Sequence, residues 1–197
     1  MSKRRRCPFL SFNQPHLKKV SYAEYLTWPN EPRYEIIDGI PYLQAAPSRQ
    51  HQRLVTQLTG ELYTFLKGKT CDVYTAPFDV RLSSAEDEQE YHVVQPDISV
   101  VCDERKLDDK GCKGAPDLIV EVLSPSTWQR DRIEKLNKYQ GHGVKEYVLI
   151  YPNEKIIEQY TLAEQGMYEI PKIYNIEHIF RSDILPGFEI PMSDILF

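Results

Sequence analysis

The chain has 197 residues with 41% hydrophobic and 11% aromatic content, enough for a folded domain with a real core and against global disorder. No apolar run approaches the ~20 residues that span a bilayer, and the basic "KRRR" start is followed by no secretory-type apolar stretch. The expected address is therefore cytoplasmic, with no membrane partner. A formal net charge of −5 removes the simplest argument for a nucleic-acid binder, a globally basic surface; a local basic patch stays open, because steering depends on where charge sits. The cysteines Cys7, Cys71, Cys102 and Cys112 form no CxxC pair and read as reduced thiols rather than a disulfide scaffold or a zinc site.

Residues 1–20 combine the basic cluster with prolines and little periodicity, and read as a poorly ordered basic arm. "SYAEYLTWP" reads as a short helix capped by Ser21 and ended by Pro29. "RYEIIDGIPYLQ" is a hairpin through Asp38-Gly39, a dipeptide that tolerates positive φ. "SRQHQRLVTQLTGELYTFLKGK" is the clearest helix: Val55, Leu58, Leu62 and Phe65 share one face, Ser48 caps it and Gly68 stops it. "CDVYTAPFDVRLS" reads as a strand bent or placed at an edge by Pro77. After the solvated loop "SSAEDEQE" come "HVVQPDISVVC" and "PDLIVEVLS", strands with little polar alternation and therefore central. "TWQRDRIEKLNKYQGHG" is a second helix and "EYVLIYP" another buried strand. The tail alternates short strand-like runs and closes on "LPGFEIPMSDILF", whose apolar residues require burial. The pattern predicts one α/β or α+β domain around a mixed sheet.

Two acids stand out. Glu121 interrupts the apolar strand "DLIVEVL", where an unpaired carboxylate costs on the order of 3–5 kcal/mol; it needs a strand-end salt bridge, a cation, a raised pKa or an opening to water. Asp97 opens the preceding strand, and the intervening loop is long enough to lay the two strands side by side with both acids at one end. Adjacent carboxylates repel, and a hard divalent cation relieves that repulsion; magnesium commonly binds through one or two carboxylates plus waters and phosphates. The base has to come from the second helix. At roughly 100° per residue, Lys135 borders the apolar stripe of Ile133, Leu136 and Tyr139, whereas Lys138 points away from it. Lys135 also stands four residues after Asp131, so pairing with that acid is the structural alternative.

"QPDISVVC", "GAPDLIVEVLSPST", "DRIEKLNKY" and "GVKEYVLIYP", in this order, resemble the Uma-type family of restriction endonucleases within the PD-(D/E)xK nuclease superfamily. "YEIIDGIPYLQAAPSRQH" and "LPGFEIPMSDILF" fit the same family. The resemblance implies a restriction-endonuclease-like α/β (α+β) fold over residues 21–197, a mixed sheet flanked by helices with additional β-hairpins at both ends. It makes Asp97 and Glu121 the metal-binding acids. The superfamily's usual lysine position, two after the Glu, is Leu123 here, and Lys135 fits as its replacement from the helix. A family histidine at the place of His51 faces the site; the bland reading of His51 is a satisfied core residue. Glu35, an acid among apolar neighbours, is either a further site acid or the partner of Arg33 or Arg81. Val148 and Tyr151 stand where the family tends to have a tryptophan and an aspartate, a departure that bears on substrate more than on catalysis.

The expectation is a Mg2+-dependent deoxyribonuclease, Mn2+ able to substitute, that hydrolyses DNA phosphodiester bonds. Asp97, Glu121 and Lys135 would do the chemistry, and Arg130 and Arg132 would grip the phosphate backbone. A non-catalytic nucleic-acid or partner-binding module and a hydrolase of another phosphate ester are the rival readings. A homodimer is one option by analogy.

Overall fold

Two prolines decide how this chain is divided between sheets. The computed structural model describes residues 18–124 and 128–196. It begins with a one-turn helix α1 (Tyr22–Tyr25), whose cap Ser21 accepts a bond from the Glu24 amide, and a hairpin of β1 (Tyr34–Ile37) and β2 (Ile40–Leu43). The hairpin turns through Asp38 and Gly39 at φ of 55° and 78°, as the two-residue loop requires. Helix α2 (Arg49–Leu66) follows, capped by Ser48. Next come β3 (Asp72–Thr75), β4 (Val80–Arg81), β5 (Val93–Val94) and β6 (Ile98–Val101).

Two of the runs read above as single strands, "CDVYTAPFDVRLS" and "HVVQPDISVVC", are each two. Pro77 separates β3 from β4 and Pro96 separates β5 from β6, and the halves belong to different sheets. Proline donates no ladder hydrogen bond and fixes φ, so each run leaves one sheet at its proline and enters the other. The chain then passes through β7 (Leu107–Asp108), β8 (Gly111–Lys113) and β9 (Leu118–Val122). A π-helical segment (Arg130–Lys135) leads directly into α3 (Leu136–His142), ended by Gly143 at φ 85°. Strands β10 (Glu146–Tyr151), β11 (Ile156–Thr161), β12 (Lys172–Asn175), β13 (Ile179–Arg181) and β14 (Glu189–Pro191) and the short helix α4 (Met192–Ile195) complete it.

The expected mixed sheet is thus resolved into two six-stranded sheets, ordered β2-β1-β5-β4-β8-β7 and β12-β11-β10-β9-β6-β3, plus a β13–β14 ribbon. The second sheet is central. On one of its faces Ile98, Val100, Leu118, Val120 and Val122 pack against α2 and the tail. On the other, Val101, Ile119 and Leu123 pack with α3 and the first sheet. Period-2 alternation therefore sends Glu121 to the second face, with Ile119 and Leu123. β6 and β9 run antiparallel with Ile98 opposite Val120, so one step beyond the ladder Asp97 stands across from Glu121.

Three sequence readings are corrected. Cys71 and Cys102 form a disulfide, with Cα atoms 3.9 Å apart, because Asp72 pairs with Val101 across β3 and β6 and the next residues out face each other; Cys112 is a buried free thiol. Val20, read above as part of the basic arm, is buried and its amide bonds the Gly39 carbonyl; residues 1–17 lie outside those described. Ile133 is 50% exposed, and the buried side chains of the second helix are Asp131, Lys135 and Tyr139.

The tail packs as its composition requires. Phe188, Ile190, Met192, Ile195 and Leu196 are buried in the α2-side core. Glu146 of β10 secures the approach to them, its Oε2 accepting bonds from the Ser182 hydroxyl and the Asp183 and Ile184 amides at 2.8–3.1 Å. Phe188→Ala is expected to cost about 3–5 kcal/mol in urea denaturation, and truncation after Pro186 to lower the melting temperature sharply. An unchanged melting temperature for the truncated chain would refute this account of the core.

Candidate active site

Asp97, Glu121, Lys135, Glu35 and His51 all line one cleft of about 710 Å³. It opens where both sheets give out at the Pro77 and Pro96 crossings. Asp97 is fixed from two directions. Its Oδ2 accepts the Val122 amide at 2.7 Å and lies 3.0 Å from His51 Nε2. The Asp97 amide in turn faces Glu121 Oε2 at 3.5 Å, a marginal bond. His51 reaches Asp97 because Ser48 caps α2 and places the helix's first turn over the sheet end; its Nδ1 is buried with no hydrogen-bond partner among the described residues.

Lys135 is the centre of the cluster. It is 4% exposed, and its Nζ lies 2.8 Å from Glu121 Oε1, 2.8 Å from Glu35 Oε1 and 3.3 Å from Asp131 Oδ1. Lys135 thus pairs with Asp131, the structural alternative, and also reaches across to acids of both sheets. Glu35 is held by the Gln95 amide at 3.0 Å, and its partner is neither arginine considered for it. Arg81 bonds Asp108 at 2.6 Å, and Arg33 lies 4.0 Å from Glu31. Tyr139, fully buried one turn after Lys135, donates to Glu121 Oε1 at 3.0 Å. Lys138 bonds Asp38 at the hairpin tip at 2.6 Å, away from the acids.

The electrostatics follow from three carboxylates around one ammonium, with Asp97 beside Glu121. Burial pushes Glu121 well above the ordinary glutamate value; Lys135 opposes this, while Asp131, Asp97 and Glu35 add to it. Burial would pull Lys135 down, but Glu121, Glu35 and Asp131 overcome it and hold its pKa well above the ordinary lysine value. Burial and the same acids keep Tyr139 a neutral phenol. Lys135 is therefore a fixed positive charge among these acids.

Such a hard-oxygen, electron-rich pair suits a divalent cation at Asp97 and Glu121. Among the described residues no group of three or more His, Cys, Asp or Glu is placed to hold a metal ion. Arg130 lines the cleft and stacks on the Tyr42 ring at 4.1 Å. Arg132 is not brought there; it pairs with Glu158 at 3.2 Å. Sequence reasoning missed Gln95 and Tyr139 as supporting groups. The i−4 spacing signalled Asp131, but no local pattern announces that Tyr139 or Gln95 would touch Glu121 or Glu35.

The fold is similar to the crystal structure of a "putative nuclease belonging to DUF820" from Anabaena variabilis, with a TM-score of 0.72, 18% identity, and 90% of this chain and 97% of that one covered. Fold and family together define a nuclease-like class. The chain belongs to the Uma2 family, described as "Putative restriction endonuclease", which matches residues 22–193. An uncharacterized protein of Synechocystis sp. is 28% identical over 151 residues, covering 75% of this chain and 77% of its own length. No helix among the described residues is long and apolar enough to cross a membrane.

Because ionised Glu121 is disfavoured in the fold, its contribution to stability is greatest below the ordinary glutamate range and is lost as pH rises through its raised pKa. Glu121→Gln, which leaves Lys135 paired with Glu35 and Asp131, is therefore expected to raise the metal-free melting temperature at pH 8, with the gain vanishing toward pH 4. A variant less stable than wild type at pH 8 would contradict the charge balance described.

Proposed function

We propose that the protein is a Mg2+-dependent endonuclease, with Mn2+ able to substitute, that hydrolyses phosphodiester bonds of DNA. The observation that carries this reading is the meeting of Asp97, Glu121 and Lys135 in one cleft, with Lys135 arriving from a helix. Asp97 and Glu121 would hold the cation, which when bound supplies Lewis-acid stabilisation of charge on the phosphoryl oxygens.

The chain's own groups do the rest. Lys135, permanently charged, is an electrostatic stabiliser of the phosphoryl transition state or an orienter of the attacking water, and not a neutral base. His51 and the Val122 amide fix the Asp97 carboxylate, and Tyr139 fixes Glu121. Arg130 and Arg33 at the cleft wall offer charge to backbone phosphates, a contact that weakens with salt. A pure binding module has no need of buried acids arranged around a buried lysine.

The test is incubation of the purified chain with supercoiled, linear and single-stranded DNA in Mg2+, Mn2+ or EDTA. Lys135→Ala is a poor probe, since it strands buried carboxylates at a cost of about 3–5 kcal/mol. Asp97→Asn is cleaner, because the amide oxygen still accepts the Val122 amide. Cleavage should require Mg2+ or Mn2+ and fall by at least about 100-fold in Asp97→Asn, with the melting temperature held; Lys138→Ala should cleave at nearly the wild-type rate. Cleavage that persists in EDTA, or in Asp97→Asn, would defeat the proposal.

A further inference from the structure

The nuclease reading leaves Asp131 without a task. It is 4% exposed, does not stand across the sheet from Asp97 as Glu121 does, and lies on the same helical segment as the lysine it touches. We propose that Asp131 is a positioning residue for Lys135, held in place by a π-helical turn that Tyr147 pins to the central sheet. The catalytic part of this claim rests on the nuclease reading; the holding contact does not.

An ammonium has three N–H donors and no acceptor. Glu35 from β1, Glu121 from β9 and Asp131 from the π turn present three carboxylates to it, from three different elements. Two contacts leave the head group free to pivot about the line joining them, and the third closes that freedom. The need is specific to this chain. Leu123 occupies the strand position two after Glu121, so the cation is not carried on the strand that carries the acid. It comes instead from a separate helical segment, at the end of a flexible stem that has to be immobilised.

The backbone supports the same assignment. The π-helical segment spans Arg130–Lys135, so Asp131 and Lys135 both lie within it; such wide turns are rare and gather at functional sites. The Asp131 carbonyl accepts a bond from the Tyr147 hydroxyl at 3.0 Å, and Tyr147 is fully buried. Tyr147 sits on β10, paired with Ile119 of β9 two residues before Glu121. The turn that supplies the lysine and its aspartate is thereby tied to the sheet that supplies the metal-side acid.

The test uses the full chain as Asp131→Asn and Tyr147→Phe, both near-isosteric. Native-state acetylation of Lys135, followed by peptide mass spectrometry, should accelerate about tenfold in Asp131→Asn, the loss expected for one charged hydrogen bond, and less in Tyr147→Phe. Reactivity of the buried Cys112 thiol, which reports general opening, should not change. With Mg2+ and plasmid DNA, Asp131→Asn should lower kcat by about 10–100-fold with KM unchanged, and Mn2+ affinity should stay at the wild-type value. Unchanged Lys135 labelling would overturn the proposal, as would a rise matched by Cys112, which marks a merely structural role. A loss of Mn2+ affinity would overturn it too, by making Asp131 a metal ligand. If the wild-type chain does not cleave but Lys135 labelling still responds to Asp131→Asn, the nuclease reading falls and the holding contact stands.

Discussion

The structure depends on one buried cation. Lys135 meets carboxylates from β1, from β9 and from its own helical segment, and these belong respectively to the first sheet, the central sheet and the layer between them. An unpaired buried charge costs several kcal/mol, so none of these elements can withdraw without leaving either the ammonium or its own acid exposed to that penalty. The contact that assembles the cleft is therefore also a fastening between layers that otherwise meet through apolar side chains. Buried ion clusters are seldom the most stable filling for a core, and this one is best understood as a cost accepted for what the cleft does.

The site follows from strand register and strand interruption together. Antiparallel pairing of β6 with β9 sets Asp97 opposite Glu121, and the proline before Asp97 ends the partner strand there, leaving room above the acids. His51 and Tyr139 then act from opposite sides, one bonding Asp97 from the start of α2, the other bonding Glu121 from α3. Each acid is thus supported by a side chain whose own position is fixed by helix packing on the central sheet.

Much of this was legible in the residues. The hairpin at Asp38-Gly39, the long helix with its Ser48 cap and the apolar run around Glu121 are local signals, and local signals survive folding. The pairing of Glu35 with Lys135 was not legible, because the two lie 100 residues apart and nearer arginines offered a plausible partner. The helix face was misjudged at Ile133 because apolar residues were taken to mark it: at roughly 100° per residue Asp131, Lys135 and Tyr139 fall within about 80° of one another and nearly opposite Ile133, so the buried face carries an acid and a lysine. The disulfide was missed because Cys71 and Cys102 become neighbours only through the β3–β6 register, which no spacing rule in the chain encodes.

Ionic strength divides the cleft into two regimes. In water of physiological salt, charges are screened beyond about 8 Å, while buried pairs are screened far less. The half-buried Arg33 and Arg130 on the wall are within reach of mobile ions, so the attraction they exert on a polyanion fades as salt rises. Lys135 and Glu121, 4% and 5% exposed, are beyond that reach. The interior field at the floor of the cleft is consequently screened little by dissolved ions, while any pull that Arg33 and Arg130 exert on a polyanion is left for the medium to decide.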